Sequence, residues 1–490
     1  MSRNIIFISF FVICGLLQNN LEANDTQLTI YNQNFAVVKG NRILELKKGE
    51  NELRVTDITA YLEPESVILR DTDNPESLKI LEQNYESDPL SEGLLLKKSE
   101  GKILDFEIAN PKTGEKEIIK GKIIRSGYVP QYPYAGYGQS QAQPIIEVNG
   151  KIQFGLPGKP VFDSIESGGF LKPTLLWNLW TSKAGKHNVE FSYLTNEISW
   201  VSSYNAVMPE KRNKFDIIGW ITINNRCGMD FDKTSVKLIA GDVSRVQQEA
   251  GGRMMYAKMA MADEQVTTVR ERSFEEYHLY TLGRLVTILD KEIKQIEFIR
   301  ANNVSFQRFY VYDGFETGQY AGRDSYSARD RSDYGTICNK KVRVMLEFKN
   351  SEANHLGIPL PKGKVKIYRK DIDGRNEFTG EDQIDHTATD ETVKLYMGNA
   401  FDIVGERKQT NFYTDSSRKY TDESFEIKLR NRKKEEVSIR VIEHLYRWTN
   451  WEIKENNIPY TKKDSKTIEF NVKIPANGEK TITYTAHYSW

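Results

Sequence analysis

Cysteine and histidine are scarce in this chain, and long apolar runs are missing beyond its first thirty residues. Three cysteines and six histidines stand among 490 residues, and no two cysteines are spaced as CxxC, which leaves a cysteine-based zinc site without support. HExxH, a GxSxG elbow and a phosphate-binding glycine loop are absent as well, so the usual signatures of zinc, serine-nucleophile and nucleotide chemistry are missing. An excess of either charge is missing too. Lysine and arginine number 68, as do aspartate and glutamate. That balance gives no electrostatic footprint for nucleic acid and no basic block for a membrane surface. After residue 30 no stretch reaches the roughly 20 apolar residues of a spanning helix, so no transmembrane segment is expected in the mature chain.

What is present is alternation. Val342, Val344, Leu346 and Phe348 share one parity, with Arg343, Glu347 and Lys349 on the other. The rhythm returns in Phe425/Ile427/Leu429, Val437/Ile439/Val441, Ile468/Phe470/Val472/Ile474 and Ile482/Tyr484/Ala486/Tyr488. A period of two puts one face of a pleated strand in a core and the other in water. Repeated between turn signals, it predicts a mainly β protein of two or three antiparallel β-sandwich-like domains, the last immunoglobulin-like.

Residues 1–23 read as a secretory signal peptide: Arg3, an apolar run over 5–17, and cleavage after Ala23. A retained anchor is the second reading. The remainder divides into an N-terminal β domain (24–174), a middle β domain (175–341) and a C-terminal sandwich (342–490). Long loops interrupt it at 127–144, rich in Gly, Tyr and Pro, and at 247–276 and 313–341. Asn149-Gly150 and Asp373-Gly374 signal hairpins. Residues 285–300 fit either a helix or two strands, and two strands around Asp290-Lys291-Glu292 are favoured.

Several stretches carry a resemblance. They are Leu346-Glu-Phe-Lys-Asn-Ser351 with Leu356-Gly-Ile-Pro-Leu-Pro361, Gly380-Glu-Asp-Gln-Ile-Asp-His-Thr387, Gly398-Asn-Ala-Phe-Asp-Ile-Val404, and Glu443-His444 leading to Arg447-Trp-Thr-Asn-Trp-Glu452. Ser192-Tyr-Leu-Thr195, Leu238-Ile-Ala-Gly-Asp-Val243, Tyr277-His-Leu-Tyr280 and Ile30-Tyr-Asn-Gln33 add to them. Together they resemble domain-of-unknown-function family 4139, the mucoidy-inhibitor-like group. The resemblance implies a β-rich fold and brings no established activity. Many members carry a further coiled-coil-bearing N-terminal domain, and this chain is read as the short form without it.

Candidate sites are weighed against simpler readings. Glu381, Asp382, Asp385 and His386, with Arg407 following, have the chemistry of a metal-assisted hydrolytic site, yet adjacent residues on a strand face opposite ways. Asp385, His386 and Arg407 are the catalytic alternative. His278, His386 and His444 are the metal alternative, if three imidazoles converge. For binding, Trp448 and Trp451 offer aromatic anchors, and Tyr132 and Tyr134 lie in the Gly/Tyr/Pro loop. Cys227 and Cys338 are either one disulfide or two separate buried thiols. No cofactor is called for. The leading expectation is an exported, periplasmic, cell-surface or secreted module that contacts a protein or glycan; the alternative is a metal-dependent hydrolase.

Overall fold

The computed structural model describes residues 24–86, 91–109, 114–128, 142–162, 172–209, 213–241, 243–245, 269–274, 277–315, 331–417 and 419–490. Residues 1–23, Tyr132, Tyr134 and most of the 247–276 segment lie outside them. The protein is mainly β, 66% strand and 3% helix, in several sheets, with no barrel among the described residues. Two units form, each from separated stretches of chain: Met1–Trp200 with Ile223–Lys294, and Val201–Thr222 with Gln295–Trp490.

The first unit is built on an eight-stranded sheet. Its path runs Val269–Phe274, Tyr277–Leu282, Phe231–Ala240, Asn24–Tyr31, Phe35–Leu46, Gly185–Asn196 and Ile68–Asp71, and Val286–Ile288 pairs beside Phe231–Ala240. Thr174–Thr181 is flanked by Gly49–Val55 and Leu78–Glu86 in a three-stranded sheet. A third sheet orders Lys159–Val161, Ile103–Ala109, Lys116–Arg125, Ile145–Val148 and Lys151–Phe154. Its inner face holds Phe106, Ile123 and Ile146 against Leu96. Leu96 lies on the short helix Glu92–Lys98, whose first turn is capped where Ser91 Oγ accepts from Leu94 N at 3.2 Å.

In the second unit the largest sheet has nine strands. They run Trp451–Asn456, Glu479–Ser489, Tyr420–Asn431, Thr392–Asp415, Lys341–Lys349, Gln307–Asp313, Val437–His444, Thr467–Ile474 and Tyr460–Lys462. The two end strands of this path are consecutive in the chain, joined only by residues 457–459. Such a short link forces the sheet to fold back on itself as a sandwich does. The alternating residues line the enclosed core: Phe425, Ile427, Leu429, Val437, Ile439, Val441, Phe470, Val472, Ile482 and Tyr484 are all buried. The five-stranded sheet lies mostly in this unit, in the order Ile293–Ser305, Lys214–Asn225, Ile198–Met208, Gly363–Lys370 and Asn376–Ile384.

The helix-or-strand ambiguity at 285–300 resolves into the strands Val286–Ile288 and Ile293–Ser305. Lys291 turns between them with φ 60°. Pairing is less uniform than alternation suggests. Asn24–Tyr31 pairs parallel to Phe231–Ala240, Ile198–Met208 to Gly363–Lys370, and Gln307–Asp313 to Val437–His444. Period-two patterning reports which face is buried and nothing about strand direction. Of the two alternatives for the cysteines, the structure has separate thiols: Cys227 and Cys338 are both free. Cys227 is buried in the first unit, whereas Cys338, in the second, donates to Arg407 O.

Candidate functional site

The densest concentration of charge lies inside the nine-stranded sheet. Glu443 is the penultimate residue of the strand that buries Val437, Ile439 and Val441 and shares their parity, so the pleat carries a carboxylate into the core. By the same rule Glu423 continues the face of Phe425, Ile427 and Leu429. Each carboxylate meets an arginine. Arg407 Nε donates to Glu443 Oε2 at 2.9 Å and to Oε1 at 3.0 Å. Arg447 reaches Glu423 with Nε at 2.8 Å and Nη2 at 2.7 Å, the two-pronged geometry a guanidinium favours. Side-chain exposure is 1% and 0% in the first pair and 0% and 0% in the second.

Neutral donors complete each shell. Tyr484 OH donates to Glu443 Oε2. Tyr446 OH at 2.9 Å and Gln409 Nε2 at 2.8 Å donate to Glu423 Oε1. Each arginine also donates to one backbone segment, while Arg407 Nη2 is buried with no hydrogen-bond partner among the described residues. Arg407 Nη1 donates to Gly335 O at 2.8 Å. Arg447 donates to Arg331 O at 2.8 Å and to Tyr334 O at 3.0 Å. Segment 331–337 is thereby fastened onto the sheet from beneath. Aromatic faces fill what is left: the Arg407 guanidinium lies 3.7 Å from the centre of the Phe425 ring and that of Arg447 4.5 Å from Phe412.

The electrostatics follow from burial. Burial alone would lower the Arg407 pKa, but Glu443 outweighs it and the pKa rises well above the ordinary value. The same opposition, with Glu423 prevailing, raises Arg447. Burial first, and then Glu443, pushes the Tyr484 phenol far up, so it stays a donor. Burial and Glu423 do the same to Tyr446. The arrangement is a structural clamp. At its rim His444 Nε2 and Arg343 Nη2 both contact Asp313 Oδ2 at 3.2 Å. That hydrogen bond to Asp313 raises the His444 pKa against the opposing effect of burial.

The residues singled out from sequence are spread out. Asp385 is exposed and pairs with Lys362 Nζ at 3.3 Å. His386, also exposed, accepts the Lys362 N–H at Nδ1, 3.1 Å away. Arg407 is interior, on the core parity it shares with Ile403 and Gly405, and is paired with Glu443 away from Asp385 and His386. His278 lies in the first unit against Glu271 at 2.8 Å, and His444 in the second. Among the described residues no group of three or more His, Cys, Asp or Glu side chains is arranged to hold a metal ion. Trp448 and Trp451 are half-buried and pack on the nine-stranded core. Trp448 meets Trp490 edge to face at 6.4 Å, and Trp451 Nε1 donates to Ser465 O at 2.7 Å. Tyr132 and Tyr134 lie outside the described residues.

Glu423 and Glu443 were missed as a site because polar residues in a strand are read by default as solvent-facing; Arg447 lies between strands, where no parity applies. Extending the apolar parity by one step in each strand was the signal available.

A smaller buried cluster sits in the first unit. Asp71 Oδ2 contacts His187 Nδ1 at 2.6 Å and accepts from Ser77 Oγ at 2.8 Å. Burial opposes ionisation of Asp71, but the hydrogen bonds from His187 and Ser77 prevail and lower its pKa to about 2.

Residues 189–490 match the family described as a domain of unknown function, DUF4139, and the chain belongs to that family. The matched range takes in the whole clamp; Ile30-Tyr-Asn-Gln33 falls outside it. No curated protein matches the chain. Among the described residues no helix is long and apolar enough to cross a membrane.

Proposed function

We propose that this chain is an exported, non-catalytic interaction module of the cell envelope or extracellular space, with a protein or glycan as partner. The observation that carries this reading is Phe401. Lys341 pairs with Val404 and Arg343 with Asn399, which leaves residues 400–403 in a bulge on the longest strand. Phe401 stands on that bulge 95% exposed. A bulge re-aims a side chain away from its ladder, and a protruding aromatic ring is the kind of group that anchors an interface.

The test is a photo-reactive residue placed at position 401 in producing cells, with one at exposed Lys434 as control. The reading expects a cross-linked adduct specific to 401, in the envelope or medium, on a chain lacking residues 1–23. A cytoplasmic chain with an intact leader, or adducts equal at both positions, counts against it.

A further inference from the structure

The five-stranded sheet of the first unit has two edges of opposite character. At one, Lys159–Val161 carries Pro160, which has no N–H to offer, and Lys159, a charge. These are the usual guards against strand addition. The other edge, Lys151–Phe154, has neither proline nor bulge, and its outer face is apolar: Ile152 is 66% exposed and Phe154 72%.

The hairpin fixes which backbone groups are free. Asn149 and Gly150 have φ 50° and 74°, a two-residue turn of the primed type, so Val148 and Lys151 form the first hydrogen-bonded pair. The alternation continues to the far end, where Gly155 N donates to Pro144 O at 2.8 Å. Lys151, Gln153 and Gly155 therefore direct their backbone groups at the neighbouring strand. Ile152 and Phe154 direct theirs outward. Among the described residues, the two of this strand with apolar exposed side chains are also the two with unpaired N–H and C=O groups.

We infer that this edge pairs antiparallel with the same edge of a second copy, about a twofold axis through Gln153. In that register Ile152 lies opposite Phe154 of the second copy, twice, and each such pair exchanges two backbone hydrogen bonds. Lys151 falls opposite Gly155, so no like charges meet. Moving the axis to Lys151 would set two lysines face to face. Moving it to Ile152 would set Phe154 against the turn glycine. The interface is isologous and joins two five-stranded sheets into one of ten. Short strands bury less than the roughly 1,200 Å² of a stable complex, so the dimer is reversible and concentration-dependent. The pairing rests on the reading of the chain as an interaction module and names a partner for it.

Sedimentation velocity of the mature chain over a wide concentration range tests it. A monomer–dimer equilibrium is expected. Phe154→Lys, and Ile152→Pro, which removes an outward N–H and no internal hydrogen bond, each weaken it by about tenfold or more. Gln153→Cys, set across the axis at disulfide distance, yields a covalent dimer on mild oxidation, mapped by mass spectrometry; Lys151→Cys yields none. A monomer at every concentration overturns the pairing, and so does a dimer indifferent to Phe154→Lys and Ile152→Pro. Neither result bears on export or on adducts at Phe401, so failure here is distinguishable from failure of the broader reading.

Discussion

Arg407 and Glu443 form an ion pair from which water is excluded, with the guanidinium laid on the Phe425 ring and the carboxylate also held by Tyr484. A charge pair in such a place has two physical consequences. Its net contribution to stability is small, because desolvation offsets the attraction, while loss of one partner leaves the other charged and unsatisfied.

The second pair gives a local prediction. Arg447→Lys keeps the charge but loses the fork that spans Glu423 and two backbone carbonyls. Amide hydrogen exchange over residues 331–337 should accelerate at least about tenfold, on the scale of one lost charged hydrogen bond, with the strand Lys341–Lys349 unchanged. Equal acceleration throughout the second unit would mean that Arg447 holds the whole sheet and not this segment.

Two groups set pH limits, one in each unit. Asp71 has its pKa depressed from 3.8 to about 2. Its contribution is present above pH 3.8 and is lost as pH falls toward 2. His444 has its pKa raised above 6.5. Its contribution is complete below pH 6.5 and fades as pH rises through the folded-state value. Asp71→Asn should flatten the acid limb of a melting-temperature profile and leave the alkaline limb alone; His444→Gln should do the reverse. If both limbs survive both substitutions, other groups govern them.

Gly405 faces the Tyr312 ring, where an added Cβ would come within 2.2 Å of Cε2. Tyr312 is fully buried, so the ring has little room to retreat. Gly405→Ala should cost about 1–3 kcal/mol and Gly405→Val more, read by thermal unfolding. A neutral Gly405→Ala would show that the strands are less tightly layered than described.

How much of this was legible in the sequence depends on the range of the interaction. Hairpins are local: Asn149-Gly150 announced its turn, and Asp290-Lys291-Glu292 separated two strands where residues 285–300 also fitted a helix. Core faces were legible because pleating is local too. The parallel pairing of Gln307–Asp313 with Val437–His444 was not, since more than a hundred residues intervene and nothing in either strand encodes direction. Cys227 and Cys338 illustrate the same limit, because spacing along the chain says nothing of distance in space. The clamp was half legible. Parity placed Glu443 beside Val441 on the buried side, but only the assembled sheet shows that Arg407, on a strand that does not neighbour it, is its partner.

The most direct test of the clamp is a double-mutant cycle at Arg407 and Glu443, read by thermal and denaturant unfolding of residues 24–490. Although Arg407 Nη2 already lacks a partner among the described residues, the account predicts that Glu443→Leu and Arg407→Met each destabilise by about 3–5 kcal/mol. Combined, they should recover most of that loss, because no buried charge is then left alone. Single variants that cost nothing, or a double variant as unstable as the sum of the two, would contradict it.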